Sequence, residues 1–118
     1  MSFTPTLKET VQRVDGAVSA SIIGIDGMPV EEYAVEKIIN LDDLSAESSQ
    51  MMKNIASAAA SLGLGDASEF SIISDLCGII MRKINSEYYL ALIIRPDGNF
   101  GKGRFVMKST ISKLEKEF

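Results

Sequence analysis

The fold is decided by residues 17–33, AVSASIIGIDGMPVEEY. Small and β-branched residues lead into Asp26-Gly27, a dipeptide typical of tight hairpin turns because both positions tolerate positive φ. We therefore predict one strand over Ala17–Ile25 and a second over Met28–Tyr33. Pro29 has no N–H to donate to a strand ladder, so the second strand is expected at an edge of its sheet.

Helical spacing of apolar residues flanks this hairpin. Thr4 can cap a first helix in which Pro5 takes the first position. Asp42, Asp43 and Ser45 supply capping groups for a long central helix. Residues 34–44 remain ambiguous between strand and helix. The predicted helices are Thr4–Val14, Ser45–Leu62 and Lys102–Phe118.

Three further apolar runs, separated by short polar turns, read as strands in an antiparallel meander. The order is helix, two strands, helix, three strands, helix. Several strands are apolar on both sides, so we expect an α+β fold in which a five-stranded antiparallel sheet is sandwiched by helices. We expect residues 1–118 to form a single domain. The runs are Glu69–Ser74, Cys77–Ile84 and Tyr88–Ile94.

Composition excludes several function classes. The formal net charge is −4 and Lys and Arg are not clustered, which argues against binding to nucleic acid or to an anionic membrane. The chain has no histidine, so the usual general base and the His-bearing zinc sites are missing. We expect no catalysis, no cofactor and no bound metal. The single cysteine and the polar first ten residues indicate a cytoplasmic protein.

Four motifs have plain structural interpretations. Gly63-Leu64-Gly65 is expected to stop a helix, and Gly101-Lys102-Gly103 to begin one, although an anion could bind there. Cys77 is predicted to be a small buried hydrophobe. The acidic stretch from Glu31 to Asp43 lacks calcium-loop spacing and is expected to be a solvated face or a surface for a basic partner.

Two features suggest contact with other proteins. The central helix has small or apolar residues on more than one side, while one sheet buries only one stripe of a helix. Its second side could meet a symmetry-related copy. At the hairpin, Ile25 and Met28 flank a tight turn where apolar side chains are hard to bury, so they could bind a partner.

The sequence also resembles the roadblock (dynein light chain) family. The resemblance rests on VDGAV at 14–18, IDGMPV at 25–30, the Ala/Ser-rich central helix with its Leu62-Gly63 stop, and the order of elements. Roadblock domains have a profilin-like and longin-like sheet sandwich, and they dimerise through the central helices and third strands. The resemblance thus implies a homodimer interface formed by Met51, Met52, Ile55, Ala59, Leu62, Phe70, Ile72 and Ser74.

Bacterial roadblock proteins of the MglB and MglC types work with Ras-like GTPases of the MglA type, and this short chain is most similar to the MglC type. The resemblance implies a non-catalytic adaptor in a polarity or motility switch. It would bind an MglB-like paralogue through Ile25, Asp26 and Met28, and reach the GTPase directly or through that paralogue. The alternative is a small-molecule sensor or scaffold domain. A sensor would require Tyr88, Tyr89, Arg82 and Arg95 to converge on a pocket.

Overall fold

The computed structural model describes residues 2–118. Within these residues the chain forms three α-helices and five β-strands in the predicted order. The elements are α1 (Thr4–Gln12), β1 (Ala17–Gly24), β2 (Pro29–Ala34), α2 (Leu41–Ser61), β3 (Glu69–Ile73), β4 (Gly78–Lys83), β5 (Tyr88–Ile94) and α3 (Phe100–Glu115).

The five strands form one antiparallel sheet in the order β2-β1-β5-β4-β3. The predicted meander of β3, β4 and β5 is confirmed, and β2 lies at an edge as Pro29 indicated. The other edge is β3. The strands β1 and β5 pair at the centre of the sheet and are buried on both sides, which explains their nearly continuous apolar sequence.

Helices α1 and α3 cover one face of the sheet. Leu7 and Val11 of α1 and Met107 and Leu114 of α3 pack there against the apolar residues of the central strands. The two helices also share a buried hydrogen bond of 2.6 Å between the hydroxyls of Thr10 and Thr110. Each hydroxyl also bonds a backbone carbonyl of its own helix, that of Thr6 or that of Val106, so the pair joins two side chains that are already held in place.

Helix α2 covers the opposite face, so the predicted sandwich is confirmed. Leu44 and Met52 of α2 pack against Ile23, Met81 and Ile93 of the sheet. Three buried serines on the same side of the helix allow it to approach the strands closely. They are Ser45, Ser48 and Ser49.

The structure differs from the prediction at the N-terminal ends of the helices, because other residues cap them. Helix α2 begins at Leu41 because the Asn40 side chain accepts hydrogen bonds from the N–H groups of Asp42 and Asp43. Helix α3 begins at Phe100 because Asn99 caps it by accepting from the N–H of Lys102. Thr4 is not the cap of α1, since its hydroxyl donates instead to Glu31 on β2.

Glycines explain the close packing of α3 on the sheet. Gly103 lies inside the helix, where a Cβ would stand 2.8 Å from a methyl of Ile94. Gly78 begins β4 beneath Phe100, where a Cβ would stand 2.2 Å from the ring. Within Gly101-Lys102-Gly103, the packing of α3 therefore requires glycine at position 103.

Candidate protein-binding surfaces

The hairpin between β1 and β2 ends in a tip of four residues, Ile25 to Met28. The N–H of Gly24 donates to the carbonyl of Met28 at 2.8 Å, and the N–H of Gly27 donates to Gly24 at 2.9 Å. Gly27 has a φ of 91°, as its glycine allows, whereas Asp26 does not have the positive φ that the dipeptide would also permit. The Met28 side chain is 63% exposed and Ile25 is 39% exposed, so the tip presents apolar surface to solvent.

Asp26 has a structural part in this tip. One of its carboxylate oxygens accepts a hydrogen bond of 3.1 Å from the N–H of Met28, two residues ahead. This is the local turn that Asp and Asn side chains form with their own backbone. The carboxylate therefore helps to hold Met28 in place, whatever else it contacts.

Two contacts fasten the tip to the rest of the molecule. The hydroxyl of Ser49, on α2, donates to the carbonyl of Ile25 at 2.9 Å. The N–H of Ile25 donates to the carbonyl of Glu87, in the turn between β4 and β5, also at 2.9 Å. Because both backbone groups of Ile25 are bonded, the exposed side chains stand on a fixed frame.

A second apolar surface lies at the opposite edge of the sheet. The closest backbone approach of α2 is to β1 and β2, so the sheet is covered less completely toward its β3 edge. The resulting groove has a volume of about 330 Å³. It is lined by Ile39, Asp43, Leu44, Glu47, Met51, Ile72 and Ile79.

No protein-family model and no curated protein matches the chain. Among solved structures, MglC from Myxococcus xanthus is 33% identical over 100% of both chains, with a TM-score of 0.72. The chain belongs to the roadblock family, as an MglC-like member.

Two other solved structures share the fold. The Roadblock/LC7 domain from Streptomyces avermitilis is 18% identical, covers 99% of this chain and 98% of its own, and has a TM-score of 0.90. MglB from Myxococcus xanthus is 14% identical, with coverage of 98% and 94% and a TM-score of 0.89. The roadblock fold predicted from the sequence is thus confirmed.

The structure brings only some of the predicted roadblock dimer residues to the open surface. Met51 and Ile72 line the groove together, and Leu62 is 73% exposed beyond the end of α2. Met52 and Ala59 are buried within this chain, at 3% and 8% exposure. Ile55 and Phe70 are half-buried, and Ser74 is exposed with its hydroxyl donating to the carbonyl of Cys77.

Two apolar residues of the groove were not predicted from the sequence. They are Ile79 of β4 and Ile39 before α2. Strand alternation would have placed Ile79 on the α2 face, because Met81 is buried there. The sequence carries no comparable signal for Ile39, because the apolar residues at 34–44 fit strand and helix spacing equally well.

The side chains that a small-molecule sensor would need do not converge. Arg82 pairs with Glu69 across β3 and β4, and Arg95 pairs with Glu36. Tyr89 is buried on the α2 face, where desolvation raises the pKa of its phenol. Tyr88 instead packs on the face of α1 and α3.

Two of the remaining motifs, Cys77 and Gly63, take the positions expected of them. Cys77 is buried at 6% exposure. Gly63 ends α2 with a φ of 70°. Across residues 2–118, no three metal-ligating side chains are grouped to hold an ion. None of the helices in that range is long and apolar enough to cross a bilayer.

Proposed function

We propose that this chain is a non-catalytic, homodimeric adaptor in the cytoplasm, acting in a pathway governed by a Ras-like GTPase of the MglA type. In this proposal it binds a roadblock protein of the MglB type through the hairpin tip. The observation that carries the proposal is that the fold leaves two apolar surfaces uncovered, on opposite edges of the sheet. One suits a second copy and the other a different protein, as an adaptor requires.

The groove beside β3 supports the homodimer. Edge strand β3 has unpaired backbone groups along its outer side, and a second β3 would satisfy them by continuing the sheet. The same approach would bring apolar side chains of the partner onto Met51 and Ile72. Burial of such surface contributes roughly 25 cal/mol per Å² before the losses of association are subtracted.

The hairpin tip supports binding of the paralogue. Ile25 and Met28 form an apolar tip that is small enough to enter a groove on another protein. The backbone of Ile25 is held by Ser49 and Glu87, and that of Met28 by Gly24 and Asp26, so little backbone freedom remains to be lost on binding. The exposed side chains must still be immobilised at about 0.5–1.5 kcal/mol each, so the gain in affinity comes from the preformed backbone of the tip.

Calorimetry with an MglB-like roadblock protein from the same organism tests the proposal, with a Ras-like GTPase of the MglA type titrated separately in its GDP-bound and GTP-bound states. We expect the Ile25→Ala, Met28→Ala double variant to bind the paralogue at least about tenfold more weakly, since each truncation removes a contact of about 1 kcal/mol or more. Phe105→Ala is the matched control, because Phe105 is 65% exposed on the outer side of α3.

The possible outcomes distinguish the role of the hairpin tip, the adaptor role as a whole and the route by which the GTPase is reached. Unchanged affinity in the double variant would refute the role of the tip while leaving the adaptor intact. Absence of binding to both the paralogue and the GTPase would refute the adaptor itself. A GTPase that binds only when the paralogue is present would show that the contact runs through the paralogue.

A further inference from the structure

A hollow of about 470 Å³ lies between the β4–β5 turn and the C-terminal end of α3. It is separate from the β3 groove, yet it adjoins the hairpin tip, because Glu87 in its wall accepts the hydrogen bond from the N–H of Ile25. The lining residues are Asn85, Ser86, Glu87, Tyr88, Glu115 and Phe118.

The hollow carries uncompensated negative charge. Glu87 and Glu115 are both exposed, and neither takes part in an ion pair in the part of the chain that the structure describes. Glu115 ends α3, so the partial negative charge of the helix C-terminus points to the same place. The Asn85 side chain accepts from the N–H groups of Glu87 and Tyr88, which fixes the turn that carries one carboxylate.

Aromatic rings form the rest of the wall. Tyr88 and Phe118 stack with centroids 4.5 Å apart and an interplanar angle of 17°. Phe118 also stacks on Phe3 at 4.9 Å, so the rings are held in place by one another. Phe118 has a ring on each face and contributes a rigid apolar wall, so a planar, weakly hydrated cation in the hollow would have only the face of Tyr88 turned away from Phe118 to stack on while it forms hydrogen bonds with the carboxylates.

We propose that this hollow binds an arginine side chain of the protein that covers the hairpin tip. The inference rests on the proposed function for the identity of the partner, and it adds the chemistry of the contact. The partner would place an apolar surface on Ile25 and Met28 and a guanidinium between Glu87 and Glu115. Arginine fits better than lysine, since its planar group can stack on a ring and donate to two carboxylates.

The hollow can be tested without the partner. In a two-dimensional NMR titration, N-acetyl-arginine amide should shift the amides of residues 85–88 and 115–118, with a dissociation constant of about 10 mM, as expected for a single side chain. N-acetyl-citrulline amide, which has the same shape without the charge, should shift them little. A Glu87→Gln, Glu115→Gln double variant should lose the response, whereas Asp66→Asn in the exposed loop after α2 should keep it. Equal shifts from both compounds, or shifts elsewhere, would overturn the proposal.

A second measurement tests whether the hollow contributes to binding of the paralogue. The double variant should bind the MglB-like paralogue about tenfold more weakly and with a smaller dependence on salt, because one desolvated charge contact is lost. Unchanged affinity and salt dependence would overturn the role in partner binding. If the paralogue does not bind the unaltered chain, the proposed function fails, and the arginine titration still decides whether the hollow is a guanidinium site.

Discussion

The two edge strands of the sheet differ in how they meet solvent. Strand β2 begins with Pro29, has a register shift opposite Ile22 and Ile23, and carries Glu31 and Glu32. Strand β3 pairs in regular register with β4 along its length. Beyond Glu69 it is uncharged, and Ile72 and Ile73 are 39% and 59% exposed.

The features of β2 are those by which soluble proteins prevent edge strands from pairing with other chains. Strand β3 has none of them beyond its first residue. Since both edges belong to the same sheet, the contrast cannot come from the fold alone. The contrast supports the proposed homodimer, in which a second copy with the same unprotected edge would pair along β3.

The largest effect should follow from placing a charge on the open edge. Ile72→Lys would put an ammonium group in the groove beside β3, where a dimer would bury it without a counter-ion. We expect dimerisation to weaken about a hundredfold, or about 3 kcal/mol. Sedimentation velocity over a concentration series measures this directly.

The matched control for that change is Val30→Lys on β2, where Val30 is 43% exposed. This variant should sediment like the unaltered chain. Both variants should keep their helical circular dichroism, since a lysine at either site can extend its ammonium group into water. Equal weakening of the dimer by both substitutions would refute the assignment of the interface to β3.

A converse test removes from β2 the features that protect it from pairing with another chain. Pro29→Val, Glu31→Thr and Glu32→Thr together would restore a backbone donor and remove both charges from β2. We expect the triple variant to associate beyond the dimer, with apparent self-association rising roughly tenfold. Light scattering against concentration measures the change. Keeping Pro29 with Glu31→Gln and Glu32→Gln tests charge alone, and no growth in either variant would show that other features protect β2.

The sequence predicts the fold well because its signals are local. The Asp26-Gly27 turn and the alternation of helical and strand spacing require only neighbouring residues. Strand β5 has the predicted bounds, Tyr88–Ile94, because both ends are marked by turn residues. The start of α2 was misplaced because several polar residues compete as caps, and Asn40 prevails by bonding two N–H groups.

The candidate surfaces are harder to predict from sequence. Met51 and Met52 are adjacent, yet a helix turns about 100° per residue, so one lines the groove and the other enters the core. Both were expected at the interface, and only the position of the sheet decides between them. The bond from Ser49 to Ile25 joins residues 24 apart, and nothing in the local pattern indicates it.

A smaller effect, on the free energy of unfolding, is expected from the turn that connects β1 to β2. Asp26→Ala removes the acceptor for the N–H of Met28, and we expect the free energy of unfolding to fall by about 1 kcal/mol. Asp26→Asn keeps an oxygen in the same place and should cost only a few tenths of that. Urea unfolding measures both. If Asp26→Asn weakens paralogue binding without loss of stability, the charge itself contacts the partner.

The smallest expected effect compares one ion pair at each edge. Glu69 on β3 bonds Arg82 at 3.1 Å and Arg104 of α3 at 3.3 Å, and all three side chains are partly shielded. Glu32 on β2 meets only Lys37, at 3.8 Å, and that lysine is 76% exposed. Glu69→Gln should therefore lower the free energy of unfolding by about 0.5–1 kcal/mol, and Glu32→Gln by a few tenths at most.

The difference between these two variants should shrink at high salt, because the remaining charge interactions are screened there. The bonds of Glu69 also explain how β3 can be ordered while its outer side has no pairing strand. With Glu69 bonded to two arginines on neighbouring elements, the first residue of β3 is held from the inner side and its outer side remains available. Equal stability losses for Glu69→Gln and Glu32→Gln would mean that the pairing of β3 with β4 is sufficient to hold the open edge in place.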